Sequence, residues 1–296
     1  MPGEPPPPPK RPGPMLLTAV AALLLTGALG TAAELGRGAG AAEARAAEQD
    51  DATRADLAAI GFETEPTAAE LRRRHGVELM TATRPFLLAL GNGPVAGEPP
   101  RDEARETARR VLERELGRFP PGLLERIGLW RVVLCRGLTE DGRSIPSLPN
   151  YRHTLLFDTE GSPAFLRRLI HHEVFHFADY AEDLNVLHDP AWEALNPPEF
   201  HYGTGGRDMR SPRVTAFDDH LPGFVSRYGT SALEEDKAEI FAALLAAPAW
   251  MAEQRRRDPI LEAKARRVQL VMEGLFPGLE TDFWAKLEGS DEADGR

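Results

Sequence analysis

The chain has 296 residues, 42% of them hydrophobic, with a formal net charge of −11 and one cysteine. The apolar share is ample for a buried core, and the length suits one large domain or two small ones. The acidic balance, with no dense Lys/Arg cluster to override it, argues against a nucleic-acid partner, and a single cysteine rules out an intrachain disulfide.

In chain order, Pro5–Pro9 and the basic pair Lys10 and Arg11 precede an uncharged apolar stretch, Met15–Ala33. This stretch reads as a secretory signal, with small residues at Gly30–Ala33 for cleavage, or as a single uncleaved membrane anchor of about 19 residues. In both cases the basic residues stay inside, and the rest of the chain is expected outside the cytoplasm, secreted or anchored to the cell membrane. Residues 34–60, rich in Ala, Gly and charge, read as a linker or loose helical stalk. Residues 61–288 read as one folded domain, and residues 289–296 as a disordered acidic tail.

Within the domain, Thr67–Arg74 reads as a helix and the Gly/Pro-dense Gly91–Pro100 as a loop. Ala104, Ala108, Val111, Leu112 and Leu116 fall near helical spacing, so Arg101–Leu116 is predicted to be an amphipathic helix closed by Gly117. Two short apolar runs, Trp130–Leu134 and Tyr151–Phe157, predict strands, with Gly142, Pro146 and Pro149 punctuating the connection. Cys135 adjoins the first run and reads as a small buried hydrophobe. Ser162 as N-cap and Pro163 at the first helical position then open a long helix. Along it, Phe165, Leu169, His172, His176 and Asp179 share one stripe, beside a core stripe of Leu166, Ile170, Phe177 and Ala181. From Leu184 to Pro222 the periodicity collapses, which predicts a wall or lid over a cleft. Helices follow at about Ala232–Leu245 and Pro259–Leu275. The expected fold class is α+β, mainly helical with a small sheet.

The run His172-Glu173-Val174-Phe175-His176 carries the chemistry. Two imidazoles four residues apart share one face of a helix, where they can grip a single zinc ion, and Glu173 beside them can take a proton from water. Such a site commonly draws a third ligand from a carboxylate on a second helix. Glu235 and Glu239, spaced i and i+4, offer one carboxylate for the metal and one to brace a ligand histidine. Glu234 and Asp236 have no carboxylate four residues onward. Asp179 either orients a ligand histidine or binds a backbone amide. His171 points about 100° away from His172 on a helix and reads as structural. His188, His201 and His220 lie in the irregular segment.

These residues, with Asp179-Tyr180 after the histidine helix, Tyr228-Gly229 seven residues before Glu235, and Ala238-Glu239 closing the pattern, resemble the catalytic domain of anthrax lethal factor and related bacterial zinc metallopeptidases of the gluzincin group. The resemblance implies a zincin-like domain in which His172, His176 and Glu235 hold Zn2+, Glu173 is the general base, and Tyr228 stabilises an oxyanion. It also implies a protein or peptide substrate, cut internally and laid along the strand Tyr151–Phe157 as a sheet edge. A histidine six residues beyond His176, the mark of a metzincin, is replaced by Glu182. Two other functions use the same residues: a proteolytically silent zinc-binding envelope protein, and a zinc amidase acting on cell-wall peptides. Oligomeric state has no signal in the sequence.

Overall fold

The run Trp130–Leu134 enters a strand buried on both faces over Arg131–Cys135, at the centre of an eight-stranded sheet in a computed structural model. The structure describes residues 50–90, 93–182, 187–203, 205, 217–218, 220–279 and 282–287. The expected leader at 1–33, residues 34–49 of the expected linker and the 289–296 tail lie outside the described residues. Among those described, no helix is long and apolar enough to cross a membrane. The chain divides into two units, Met1–Ala55 and Asp56–Arg296. In the first, residues 50–55 are helical, with an Arg54–Asp50 ion pair.

The second unit opens on helical residues 56–60 (α1), of which Leu57 is fully buried, so packed chain precedes Phe62. Then come β1 (Phe62–Thr64), α2 (Ala69–His75), β2 (Glu78–Ala82), β3 (Phe86–Leu90), β4 (Gly93–Glu98), α3 (Asp102–Leu116), α4 (Leu123–Arg126) and β5 (Arg131–Glu140). β6 (Arg143–Ser144), β7 (Ser147–Leu148), β8 (Thr154–Asp158), α5 (Pro163–Glu182) and α6 (Pro190–Glu193) follow. The helices α7 (Leu233–Ala246), α8 (Pro248–Arg257) and α9 (Pro259–Leu275) come after these.

β5 is shared between two pairings. Its first half runs parallel between β2 and β8, and its second half runs antiparallel to β4 and β6. Alternation along the strands sorts the core into two layers. Leu79, Val132, Leu134, Leu155 and Phe157 face α3, α5 and α7. Met80, Val133, Cys135 and Leu156 face the opposite side with Leu57, Phe62, Phe86 and Val95. Cys135 is fully buried, as its apolar neighbourhood predicted.

Three expectations are corrected here. The sheet is not small, because six strands beyond the two expected runs pair through non-local contacts. Gly91–Pro100 is not a loop: β4 lies between β3 and β5, and Gly97 is there because Phe86 packs over it, where a β-carbon would come 2.6 Å from the ring. The strand at 154–158 is not an edge, since β7 covers it with the register Ser147↔Phe157 and Leu148↔Leu156.

The helices follow their local signals. In α3, Asp102 and Glu103 sit in the first turn against the helix dipole, and Ala108, Leu112 and Leu116 form the buried stripe. In α5 the Ser162 hydroxyl accepts from the Phe165 amide at 3.2 Å, closing the predicted cap. α5 packs against α3, α7 and α9 at once, which is why its burial runs almost without interruption from Leu169 to Asp179. Phe241 of α7 stacks on Phe119 and meets Phe175 of α5 with ring centroids 5.3 Å apart. Phe241→Ala, which empties a fully buried site, is expected to cost about 3–5 kcal/mol in denaturant unfolding. Leu87→Ala, on a side chain 71% exposed, is expected to cost no more than about 0.5 kcal/mol.

Candidate metal centre

α5 and α7 lie against each other, and their facing turns carry the residues singled out by spacing. His172 and His176 stand one turn apart on α5, and Glu235 and Glu239 one turn apart on α7. His172 Nε2 is 2.9 Å from His176 Nε2 and 3.1 Å from Glu235 Oε2, and His176 Nε2 is 3.5 Å from the same oxygen. One ligand atom from each residue thus lies within 4.8 Å of the others. A tetrahedral zinc with bonds of 2.0–2.2 Å has neighbouring donors about 3.3 Å apart, so the three distances match one face of that tetrahedron.

The polar groups around the cluster explain its aim. Glu239 Oε1 lies 2.9 Å from His172 Nδ1, which assigns the proton to Nδ1 and turns the Nε2 lone pair toward the cluster. The other Glu239 oxygen accepts from the Ser226 hydroxyl and the Arg168 guanidinium. Glu235 Oε1 accepts from the Tyr228 hydroxyl at 2.9 Å, while its Oε2 is buried, faces both imidazoles and has no aligned donor. That orphaned oxygen and the neutral-nitrogen donors fit a divalent metal such as zinc.

The electrostatics carry the same message. Burial would raise the Glu235 carboxyl, yet the two imidazoles beside it hold it well below the usual carboxylate range. Burial pulls His172 down. His176 is also penalised by burial, but the Glu235 carboxylate prevails and pushes it up to about 9. Two imidazole nitrogens and a carboxylate oxygen this close need a shared proton or a metal ion between them.

Glu173 stands beside the cluster, 4% exposed, with Oε1 accepting from the Ser147 hydroxyl at 2.6 Å. Asp179 neither braces a ligand histidine nor binds an amide through its Oδ1, which accepts from Lys237 at 2.9 Å and so ties α5 to α7. His171 is fully buried on Glu115 at 3.0 Å, away from the cluster. His188, His201 and His220 are exposed and line no part of the cleft.

The cluster forms the floor of a cleft of about 900 Å³. Its wall is Ser144–Ser147, Pro149 and Asn150 with Phe165, Leu169 and Tyr180, and Tyr228 reaches in from a short 3-10 turn. Of the expected lid at Leu184–Pro222, residues 184–186, 204, 206–216 and 219 lie outside the described residues, and none of the described ones lines the cleft. Instead Trp192 and Tyr202 of that segment turn inward and both donate to Asp236. Spacing did not find Ser147, Arg168 or Ser226. Arg168 carried a usable signal, one turn before His172, whereas the two serines lie in stretches without periodicity.

No family model and no curated protein matches the chain. Among solved structures, that of a candidate zinc-binding metallo-peptidase from Bacteroides caccae ATCC 43185 resembles it at 13% identity and a TM-score of 0.36. The match covers 66% of this chain and 97% of that one, a likeness too loose to carry an argument.

Chelator competition checks the ligand set. Glu235→Ala is expected to abolish tight zinc binding, and Glu239→Ala to weaken it about 10- to 100-fold. Unaltered affinity in Glu235→Ala removes that residue from the site. At pH 7 zinc uptake is expected to release the proton held by His176, seen calorimetrically as a binding heat that changes with the buffer's ionisation enthalpy.

Proposed function

We propose that the chain is a zinc-dependent endopeptidase of zincin-like, gluzincin type, acting outside the cytoplasm behind the signal or anchor at Met15–Ala33. The observation that carries the reading is the convergence of His172, His176 and Glu235 on the floor of an open cleft, with Glu173 buried alongside. A zinc ion held by those three residues would act as a Lewis acid, lowering the pKa of a water from 15.7 to about 7 and polarising a carbonyl.

The chain's own groups supply the rest. Glu173 accepts the water's proton as oxygen attacks the peptide carbon, then delivers that proton to the departing amine, so one water is consumed and a carboxylate and an amine are released. Tyr228, whose hydroxyl rests on Glu235 at 2.9 Å, turns that donor toward the developing oxyanion. One such donor is worth about 10² to 10³ in rate. Glu239, held by Arg168 and Ser226, keeps the His172 ring in its ligand orientation throughout.

Cleavage within a chain is favoured over removal of C-terminal residues. Among the described residues of the cleft lining, the one guanidinium is that of Arg168, and it is engaged by Glu239. No lysine or second arginine stands there to seat a terminal carboxylate. With β8 covered, an extended substrate takes the outer side of β7.

Turnover of a random-sequence fluorogenic peptide library by the zinc-loaded protein tests the reading. Glu173→Gln is expected to keep its zinc and to lose about 10²- to 10⁴-fold in rate. A zinc-loaded wild type that cuts nothing, or a Glu173→Gln variant as fast as wild type, contradicts it.

A further inference from the structure

We propose that Ser147 is a positioning residue that joins peptide docking to the general base, its backbone offering the pairing edge and its hydroxyl fixing Glu173 Oε1 so that Oε2 takes the proton. This rests on the peptidase reading above.

The side chain comes first. Ser147 Oγ donates to Glu173 Oε1 at 2.6 Å in surroundings where the serine is 5% exposed and the glutamate 4%. Glu173 Oε2 is buried and has no hydrogen-bond partner. A carboxylate with one oxygen saturated by a fixed donor presents the other as its acceptor, and the rotation that would exchange them costs a buried hydrogen bond. In the hydrolytic step the O–H bond of the attacking water breaks, the proton bonds to Oε2, and the electron pair left on oxygen forms the new bond to carbon.

The backbone comes second. In β7 the register is Ser147↔Phe157, and the Asp158 amide donates to the Pro146 carbonyl at 2.9 Å. Antiparallel partners alternate between hydrogen-bonded and non-hydrogen-bonded pairs. With Pro146 and Asp158 bonded, Ser147 and Phe157 form the non-bonded pair, so the Ser147 N–H and C=O point away from β8. Leu148, the next residue, turns its N–H toward Leu156. Pro146 and Pro149 have no N–H at all. Of residues 146–149, Ser147 alone therefore has an N–H turned away from β8, on the side where it borders the cleft. A peptide strand can pair there in one register, and a slip of one residue would turn its side chains to the wrong face.

A single residue thus sets where the peptide backbone lies and where the base points.

The test compares wild type, Ser147→Ala and Ser147→Thr on the best-cut peptide of the fluorogenic library, with zinc content and unfolding midpoint measured on each. Ser147→Ala keeps the backbone edge and loses the hydroxyl. It is expected to bind one zinc and keep KM within about twofold, while kcat falls about tenfold, the size of one lost hydrogen bond. Ser147→Thr, which retains a hydroxyl, is expected to return kcat to within about threefold of wild type. An active wild type with equal kcat in Ser147→Ala overturns the inference and leaves the peptidase reading standing, as does a change in KM alone. A wild type that holds zinc and cuts no peptide overturns both.

Discussion

The packing of α5 on α7 is the constraint on which the rest depends, because it buries ionisable groups that each need a partner. Glu235, Asp236, Lys237 and Glu239 of α7 are all buried, and an unpaired buried charge costs several kcal/mol. Asp236 is answered by Lys264 at 2.7 Å, with donors from Trp192 and Tyr202. Lys237 is answered by Asp179 and Asp189, and Glu239 by Arg168, Ser226 and His172. Glu235 differs. Apart from the Tyr228 hydroxyl it faces two imidazoles, which are cationic only when protonated. Among the buried charged groups Glu235, Asp236, Lys237 and Glu239, the Glu235 carboxylate is therefore the one left to be matched by something that joins two histidine nitrogens, the coordination chemistry of a divalent metal.

The compensated pairs also brace the candidate ligands. Lys237 bridges to Asp179 of α5, and Arg168 of α5 bridges back to Glu239 of α7, so the two ligand-bearing helices are tied on either side of the cluster. Buried ion pairs of this kind add little net stability, since desolvation offsets attraction, but they resist rotation and sliding of the helices. Ser226 extends the tie to the turn that carries Tyr228, accepting from the Gly229 amide at 3.1 Å while donating to Glu239. One hydroxyl thus links the turn that carries Tyr228 to the carboxylate that holds His172.

Local signals made the helices and most of the cluster legible. Ser162-Pro163, the i, i+4 spacing of His172 and His176 and that of Glu235 and Glu239 are written within single turns, and each element formed where that spacing placed it. The sheet was legible only in part, because a strand such as β4 is stabilised by partners from residues 86–90 and 136–140 and its Gly and Pro imitate a loop. The outermost position of β7 was hidden for the same reason, since two residues between turns have no period. The prolines between 184 and 222 say nothing of direction, whereas the inward turn of Trp192, buried in the core, is decided by Asp236 on another helix. Asp179 shares a stripe with the histidines, yet its partner was decided by Lys237 on another helix.

X-ray absorption at the zinc edge of the purified protein addresses the central claim most directly. The account predicts one zinc per chain with two imidazole nitrogens at about 2.0–2.1 Å and a carboxylate oxygen at about 2.0–2.2 Å, and with one imidazole fewer in any metal kept by His176→Ala. A protein that retains no zinc, or whose shell is unchanged in His176→Ala, would contradict it.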